Sequence, residues 1–198
     1  MNRAKPITIV GGGLAGLTLG IALRARGVPV SVWEAGAYPR HRVCGEFLCG
    51  RGLDSLARLG LLEPVLRTGV RTADTVQFFS GTLSSGSRPI PRAAFCLSRY
   101  VLDDCLAQAF RQHGGTLLEQ ARWTEGFEQE GLVRATGRRL CPTDTGWRWI
   151  GLKAHARNVP LAADLEMHFV AGGYVGLARL PNREINVCAL FRAKKPLP

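Results

Sequence analysis

Three glycines at fixed spacing dominate the chemistry available to this chain. They lie in the run Ile7-Thr8-Ile9-Val10-Gly11-Gly12-Gly13-Leu14-Ala15-Gly16. Gly-x-Gly-x-x-Gly at the end of an apolar, β-branched stretch suits a diphosphate. Gly11 permits the tight turn that leaves the strand. Gly13 lets the main chain approach phosphate oxygens because it has no Cβ, and Gly16 lets the next helix pack closely. Leu14 and Ala15 open that helix, whose free N–H groups and positive dipole end face the anion. Glu34 follows Gly11 by 23 residues, the interval at which an acid accepts hydrogen bonds from a ribose diol. An acid there disfavours a 2′-phosphate, since two negative charges would meet. Ala35, directly after it, is a further candidate contact to the cofactor.

Positioning these groups requires strand, turn, helix and strand in that order. The patterning provides a strand over 7–10, a helix from about Leu14 to Arg26, and a second strand from Val28 to Trp33 that ends on Glu34. Such a unit belongs to a parallel sheet flanked by helices.

The 198 residues suffice for one domain, or for one domain and part of another. Hydrophobic residues make up 46% and charged residues 21%, the balance of an ordinary globular protein. No apolar run approaches the roughly 20 residues of a membrane span, and no signal peptide precedes the first strand, so a cytoplasmic location is expected. The net charge of +11 comes mostly from scattered arginines. Aromatic residues are not interleaved with them, which argues against a nucleic-acid platform. Six cysteines include no Cys-x-x-Cys pair, so neither a disulfide scaffold nor a metal site is expected. Cys44 and Cys49 keep the spacing of a redox dithiol but lack its glycine context. The four histidines are dispersed, with His155 and His168 read as strand-face residues, and no catalytic residue can be named.

After Glu34 comes a loop rich in turn formers and cations, Ala35-Gly36-Ala37-Tyr38-Pro39-Arg40-His41-Arg42-Val43-Cys44-Gly45-Glu46. Arg40 and Arg42 can reach phosphate oxygens from it. The glycine run, Glu34 and Tyr38-Pro39-Arg40-x-x-Val43-Cys44-Gly45-Glu46 together resemble the N-terminal part of FAD-dependent oxidoreductases of the p-hydroxybenzoate-hydroxylase fold. The geranylgeranyl-reductase-like branch is the nearest match. The resemblance implies an α/β fold: a Rossmann-like FAD-binding domain with a parallel sheet, then an antiparallel sheet of a partial substrate domain. It implies that the loop from Arg42 through Cys44 and Gly45 to Glu46 runs along the flavin.

Further along, Leu53 to Leu62 reads as an amphipathic helix, Thr75 to Phe79 as a strand, and Ser80 to Pro91 as a loop or hairpin tip. A helix from about Arg99 to His113 follows, with Ser98 at its N-cap and Gly114-Gly115 after its end. The resemblance makes Arg99, in Arg99-Tyr100-Val101-Leu102, an FAD contact. It places the main chain of 120–123, including Trp123, beside the adenine. Thr116 to Leu118 and the segment from Gly131 to Arg138 read as strands. From Gly146 the pattern changes to successive strands with short turns: 147–155, then a hairpin of 165–170 with 174–180, then 185–191. The expected domains are therefore 1–145, with an excursion at about 65–95, and 146–198.

The implied activity is an FAD-dependent, NAD(P)H-using oxidoreductase acting on a small apolar or aromatic substrate, read as a monooxygenase. Reduction of isoprenoid double bonds is the alternative. Tyr174-Val175-Gly176-Leu177-Ala178-Arg179-Leu180-Pro181 lacks the Trp and Phe of the reductases' Tyr-x-Trp-x-Phe-Pro segment. No Gly-Asp dipeptide occurs in the 198 residues, whereas the family pattern carries one late in the chain. The resemblance thus covers about the first half of a family member. A truncated piece, a second polypeptide that completes the fold, and an inactive nucleotide-binding module are the readings that follow.

Overall fold

The structure is a computed structural model that describes residues 4–126, 128–137 and 146–194. In chain order the elements are β1 (Ile7–Val10), α1 (Leu14–Arg24), β2 (Val30–Trp33), β3 (Phe47–Leu48), α2 (Arg51–Arg58), α3 (Leu62–Leu66), β4 (Arg71–Ser80), β5 (Leu83–Ser84) and β6 (Arg88–Cys96). There follow α4 (Arg99–Gln112), β7 (Thr116–Leu118), β8 (Leu132–Arg134), β9 (Trp147–Arg157), β10 (Leu165–Val170), β11 (Gly173–Arg179) and β12 (Glu184–Lys194).

The chain divides into two compact units, each assembled from three segments. The first comprises Met1–Arg40, Leu56–Val65 and Tyr100–Cys141; the second comprises His41–Ser55, Leu66–Arg99 and Pro142–Pro198. The expected boundary at residue 145 lies outside the described residues.

The first unit holds a four-stranded parallel sheet in the order β7-β2-β1-β8. This is the α/β unit that the glycine run and Glu34 require. Ile9, Leu17, Ile21, Val32, Leu106 and Phe110 are fully buried in it. Gly20 has Phe110 where a Cβ would stand, so the small residue lets α1 approach α4 closely. The helix read over Leu53 to Leu62, with Gly60 and Pro64 as its terminators, is α2, which ends before Gly60; Pro64 instead lies inside a second short helix, α3. Gly60 has φ +68 and its N–H donates to Ala57 O, a helix-ending turn that glycine tolerates.

The second unit holds one sheet of eight strands in the order β3-β6-β4-β10-β11-β12-β9, with β5 paired to β4. It is antiparallel except at one seam: β4 and β10 run parallel, with Val76 opposite Leu165. The sheet is therefore mixed, because the 71–96 hairpin joins the later strands rather than standing apart. Ser80 to Pro91, read as a hairpin tip, contributes β5 and the start of β6 to that hairpin. Asp164 fixes the seam. Its Oδ2 accepts hydrogen bonds from the Asp74 N–H, the Thr75 N–H and the Thr75 hydroxyl at 3.1, 3.3 and 3.0 Å, where the β4–β6 register shifts. Burial raises the Asp164 carboxyl, but these donors and Arg71 outweigh it and hold the group below its usual range. Beneath lies a small core of Ala73, Ala94, Cys96, Leu165, Ala178 and Leu180, in which burial pushes the Cys96 thiol up to about 12. Among the described residues no helix is long and apolar enough to cross a membrane.

Candidate functional site

In the first unit the glycine turn is shaped from both sides. Gly11 has φ +109, and a Cβ there would strike the Ala135 carbonyl, whose own N–H donates to Val10 O at 2.8 Å. The strand that returns at Ala135-Thr136-Gly137 thus makes Gly11 obligatory. A Cβ at Gly16 would fall on the Gly11 carbonyl oxygen, so the third glycine seats the helix on the turn. Gly13 differs: nothing lies within 4 Å of the position its Cβ would take. Helix α1 starts there with no capping side chain and no acid in its first turn. The N–H groups of the first turn have no acceptor within the helix, and they border the space beside Gly13. An anion with oxygens to offer fits that cradle.

Glu34 faces the same turn. Its Oε2 accepts from the Gly12 N–H and its Oε1 from the Gly36 N–H, each at 2.8 Å, and Arg40 forms an ion pair with Oε1. Burial raises this carboxyl, but Arg40 and the two backbone donors more than offset it, so the group is held below the ordinary value of 4.5. The Gly12 carbonyl accepts from the Tyr38 hydroxyl and from Arg40, the latter at 3.2 Å. Burial pushes the Tyr38 phenol upward, which keeps it a donor, and the Arg40 guanidinium lies 4.7 Å from the centre of its ring. Arg40 Nε is buried with no hydrogen-bond partner. Arg40 is thus committed to Glu34 and Gly12. A carboxylate offers about four lone-pair sites, and Gly12, Gly36 and Arg40 already occupy three of those of Glu34.

The segment read as lying beside an adenine joins this group. Gln120 N–H donates to Gly36 O and Ala121 N–H to Glu34 O, both at 2.9 Å, and the Trp123 ring meets Trp33 edge-on at 5.1 Å. Gly11, Gly13, Leu14, Ala15, Gly16, Glu34, Ala35, Arg40 and Trp123 therefore all belong to the first unit.

Arg42, Cys44, Gly45 and Arg99 belong to the second. There Glu46, the end of the loop that the resemblance lays along the flavin, contacts two of them, Cys44 and Arg99. Glu46, 2% exposed, accepts from the Arg99 N–H at 2.6 Å, contacts His155 Nε2 at 2.7 Å and pairs with Lys153. Asn186 Nδ2 donates to the Cys44 carbonyl at 3.0 Å. His41, Arg42, Val43, Lys153, Ala154 and His155 line a cavity of about 350 Å³. The resemblance lays Glu46 along the flavin, but its partners are not legible in the order of residues, because they stand 53, 107 and 109 positions away. Cys44 and Cys49 are free thiols.

A parallel-sheet unit with an open glycine cradle and an acid locked onto it is the arrangement of a dinucleotide-binding protein. The chain matches the family described as FAD binding domain over residues 4–141, and it belongs to that family. Among curated relatives it is 31% identical over 115 residues to a kynurenine 3-monooxygenase of Dictyostelium discoideum. The match takes in 52% of this chain and 24% of that enzyme's length. Its fold is that of a flavoprotein/dehydrogenase from Cytophaga hutchinsonii (TM-score 0.77, 17% identity, 94% of this chain and 55% of that one). It is shared with a myxobacterial chondrochloren halogenase (TM-score 0.74, 20% identity, 95% and 53%). It is shared too with 2-methyl-3-hydroxypyridine-5-carboxylic acid oxygenase (TM-score 0.73, 18% identity, 98% and 61%). The chain thus spans about a quarter of the curated relative and rather more than half of these solved chains.

Proposed function

We propose that this chain carries the FAD site of an NAD(P)H-using monooxygenase that hydroxylates a small apolar or aromatic substrate. The observation that carries the reading is the cradle at Gly13: an uncapped helix start, an empty Cβ direction and Glu34 fixed at its rim. The likeness to a kynurenine 3-monooxygenase supports the choice of hydroxylation.

In this reading the N–H groups of Leu14, Ala15 and Gly16 bind the pyrophosphate, and Gly13 gives it room. Glu34 and Ala35 hold the ribose, while Arg40 keeps Glu34 ionised and aligned rather than touching phosphate. Trp123 flanks the adenine. Arg42, Cys44, Gly45 and Arg99 are the further FAD contacts that the resemblance implies, and the strands from Trp147 onward belong to the substrate side. When bound, FAD supplies acceptance of hydride from a nicotinamide and transfer of electrons to dioxygen, so the protein's task is placement, electrostatics and exclusion of water. A second polypeptide that completes the fold remains part of this reading.

The test is direct. Purified protein is titrated with FAD and followed by flavin fluorescence, then supplied with NADH or NADPH and candidate aromatic substrates in air. Stoichiometric FAD, nicotinamide oxidation that consumes oxygen, and a hydroxylated product are expected. Anaerobic turnover on a prenyl double bond would replace hydroxylation with reduction. Failure to take up FAD would leave an inactive nucleotide-binding module.

A further inference from the structure

We propose that Glu46 is a positioning residue for flavin binding, whose buried carboxylate holds the His41–Gly45 loop and the start of α4 on strand β9. The inference rests on the FAD reading above.

Five attachments converge on this one residue. Its Oε1 takes the Arg99 N–H at 2.6 Å and the Lys153 ammonium, and its Oε2 takes His155 Nε2 at 2.7 Å. Its carbonyl accepts from Leu97 N–H at 3.0 Å, and its own N–H meets Cys44 Sγ at 3.4 Å. Its side chain is fully buried, and that of Lys153 is only 7% exposed. Ions so far from water persist only when paired and hydrogen-bonded. Glu46 also has φ +58, a left-handed conformation that costs a non-glycine residue energy and survives where its surroundings over-determine it.

The loop that Glu46 ends is fitted to β9 along its length. Val43 presses on Gly151, where a Cβ would come within 3.1 Å of Val43 Cγ1. His41 meets His155 edge-on at 5.3 Å. These contacts shape the cavity described above. Arg42, Cys44, Gly45 and Arg99 are the four FAD contacts assigned to this unit. Three of them sit on the loop, and the fourth donates its own N–H to the carboxylate. Glu46 therefore ties Arg99 to the end of the loop that carries the other three.

The experiment compares wild type, Glu46→Gln, Glu46→Asp and the double variant Glu46→Gln/Lys153→Met. FAD dissociation constants, visible circular dichroism of the bound flavin and thermal melting of the apoprotein are measured. Glu46→Gln is expected to weaken FAD binding at least tenfold and alter the visible dichroism, with Glu46→Asp recovering part of the loss. The double variant, which leaves no unpaired ammonium, is expected to melt near wild type yet bind FAD as weakly as Glu46→Gln. Where the single variant does not fold, the double decides. FAD affinity within twofold of wild type with unchanged dichroism, whatever the melting temperature, would reduce Glu46 to a structural brace and overturn the proposal. A wild-type protein that takes up no FAD would overturn instead the reading on which it stands.

Discussion

Glu34 in the first unit and Glu46 in the second are both buried against a cation and a backbone N–H, yet the two are built differently. Glu34 is served from nearby in sequence: Gly12, Gly36 and Arg40 all lie within the first forty residues. Glu46 draws Lys153 and His155 from a strand a hundred positions later, and Arg99 from a helix start between them. The first arrangement is a local motif that any chain with the right spacing can form. The second exists only once a whole sheet has assembled. Local motifs make cofactor classes legible; long-range ones tune an individual site and stay hidden.

The comparison can be broken most sharply at the glycines. Gly11→Val places a side chain on the Ala135 carbonyl at a positive φ. Strain and clash together are expected to cost about 4 kcal/mol, seen as loss of soluble protein or a steep fall in melting temperature. If the variant folds normally, the turn is not held by β8 as described.

Glu34→Gln is the next largest. It strands Arg40 in a half-buried site and should destabilise by about 3 kcal/mol at neutral pH in denaturant unfolding. The pH dependence has a definite sign. The folded-state carboxyl lies below its unfolded value, so its stabilisation is present above about pH 4.5 and is lost as pH falls through the folded value. The variant should lack that acid-side loss, so the two proteins converge in stability on acidification. Equal acid profiles would show that Glu34 carries no such linkage.

Gly13→Ala sharpens the contrast from the other direction. Its φ is −80 and its Cβ direction is empty, so melting of the apoprotein should be unchanged. FAD affinity should drop about tenfold, or roughly 1.4 kcal/mol, because the methyl occupies the phosphate's approach. Unchanged affinity would move the phosphate elsewhere. Smallest is Asp164→Asn at the parallel seam, expected to cost about 1 kcal/mol. This loss too should be confined to pH above the carboxylate range, since the Asp164 carboxyl is likewise held low.

Much of this was legible in the residues. Gly11 and Gly16 make the turn and helix seat that their spacing implies, and Glu34 reaches the Gly12 N–H from the end of the next strand, although the residue that fixes Gly11, Ala135, comes from far along the chain. The α4 helix follows its periodicity because it buries the face that its own pattern marks, and the strands from Trp147 to Phe191 stand where runs of strand formers lie between short turns. The parallel pairing of β4 with β10 was not legible, since alternation specifies a face and not a partner. For Arg40 the sequence offers phosphate oxygens within reach; its ion pair with Glu34 and its contact with the Gly12 carbonyl are not legible there, because a cation-rich loop does not say which acceptor each cation meets. His155, read as a strand-face residue, does lie on a strand; its contact with Glu46 depends on a loop whose path no periodicity encodes.

The seam between β4 and β10 joins Thr75 to Asp164 across 89 positions. During synthesis, the central pairing of the larger sheet must wait until the ribosome has delivered more than three-quarters of these 198 residues. Until then the 71–96 hairpin has an unpaired edge, the sort of exposed ladder that chaperones shield and aggregates exploit. Slow folding, with β1, α1 and β2 ordered well before the larger sheet, is the kinetic signature to expect of such a topology.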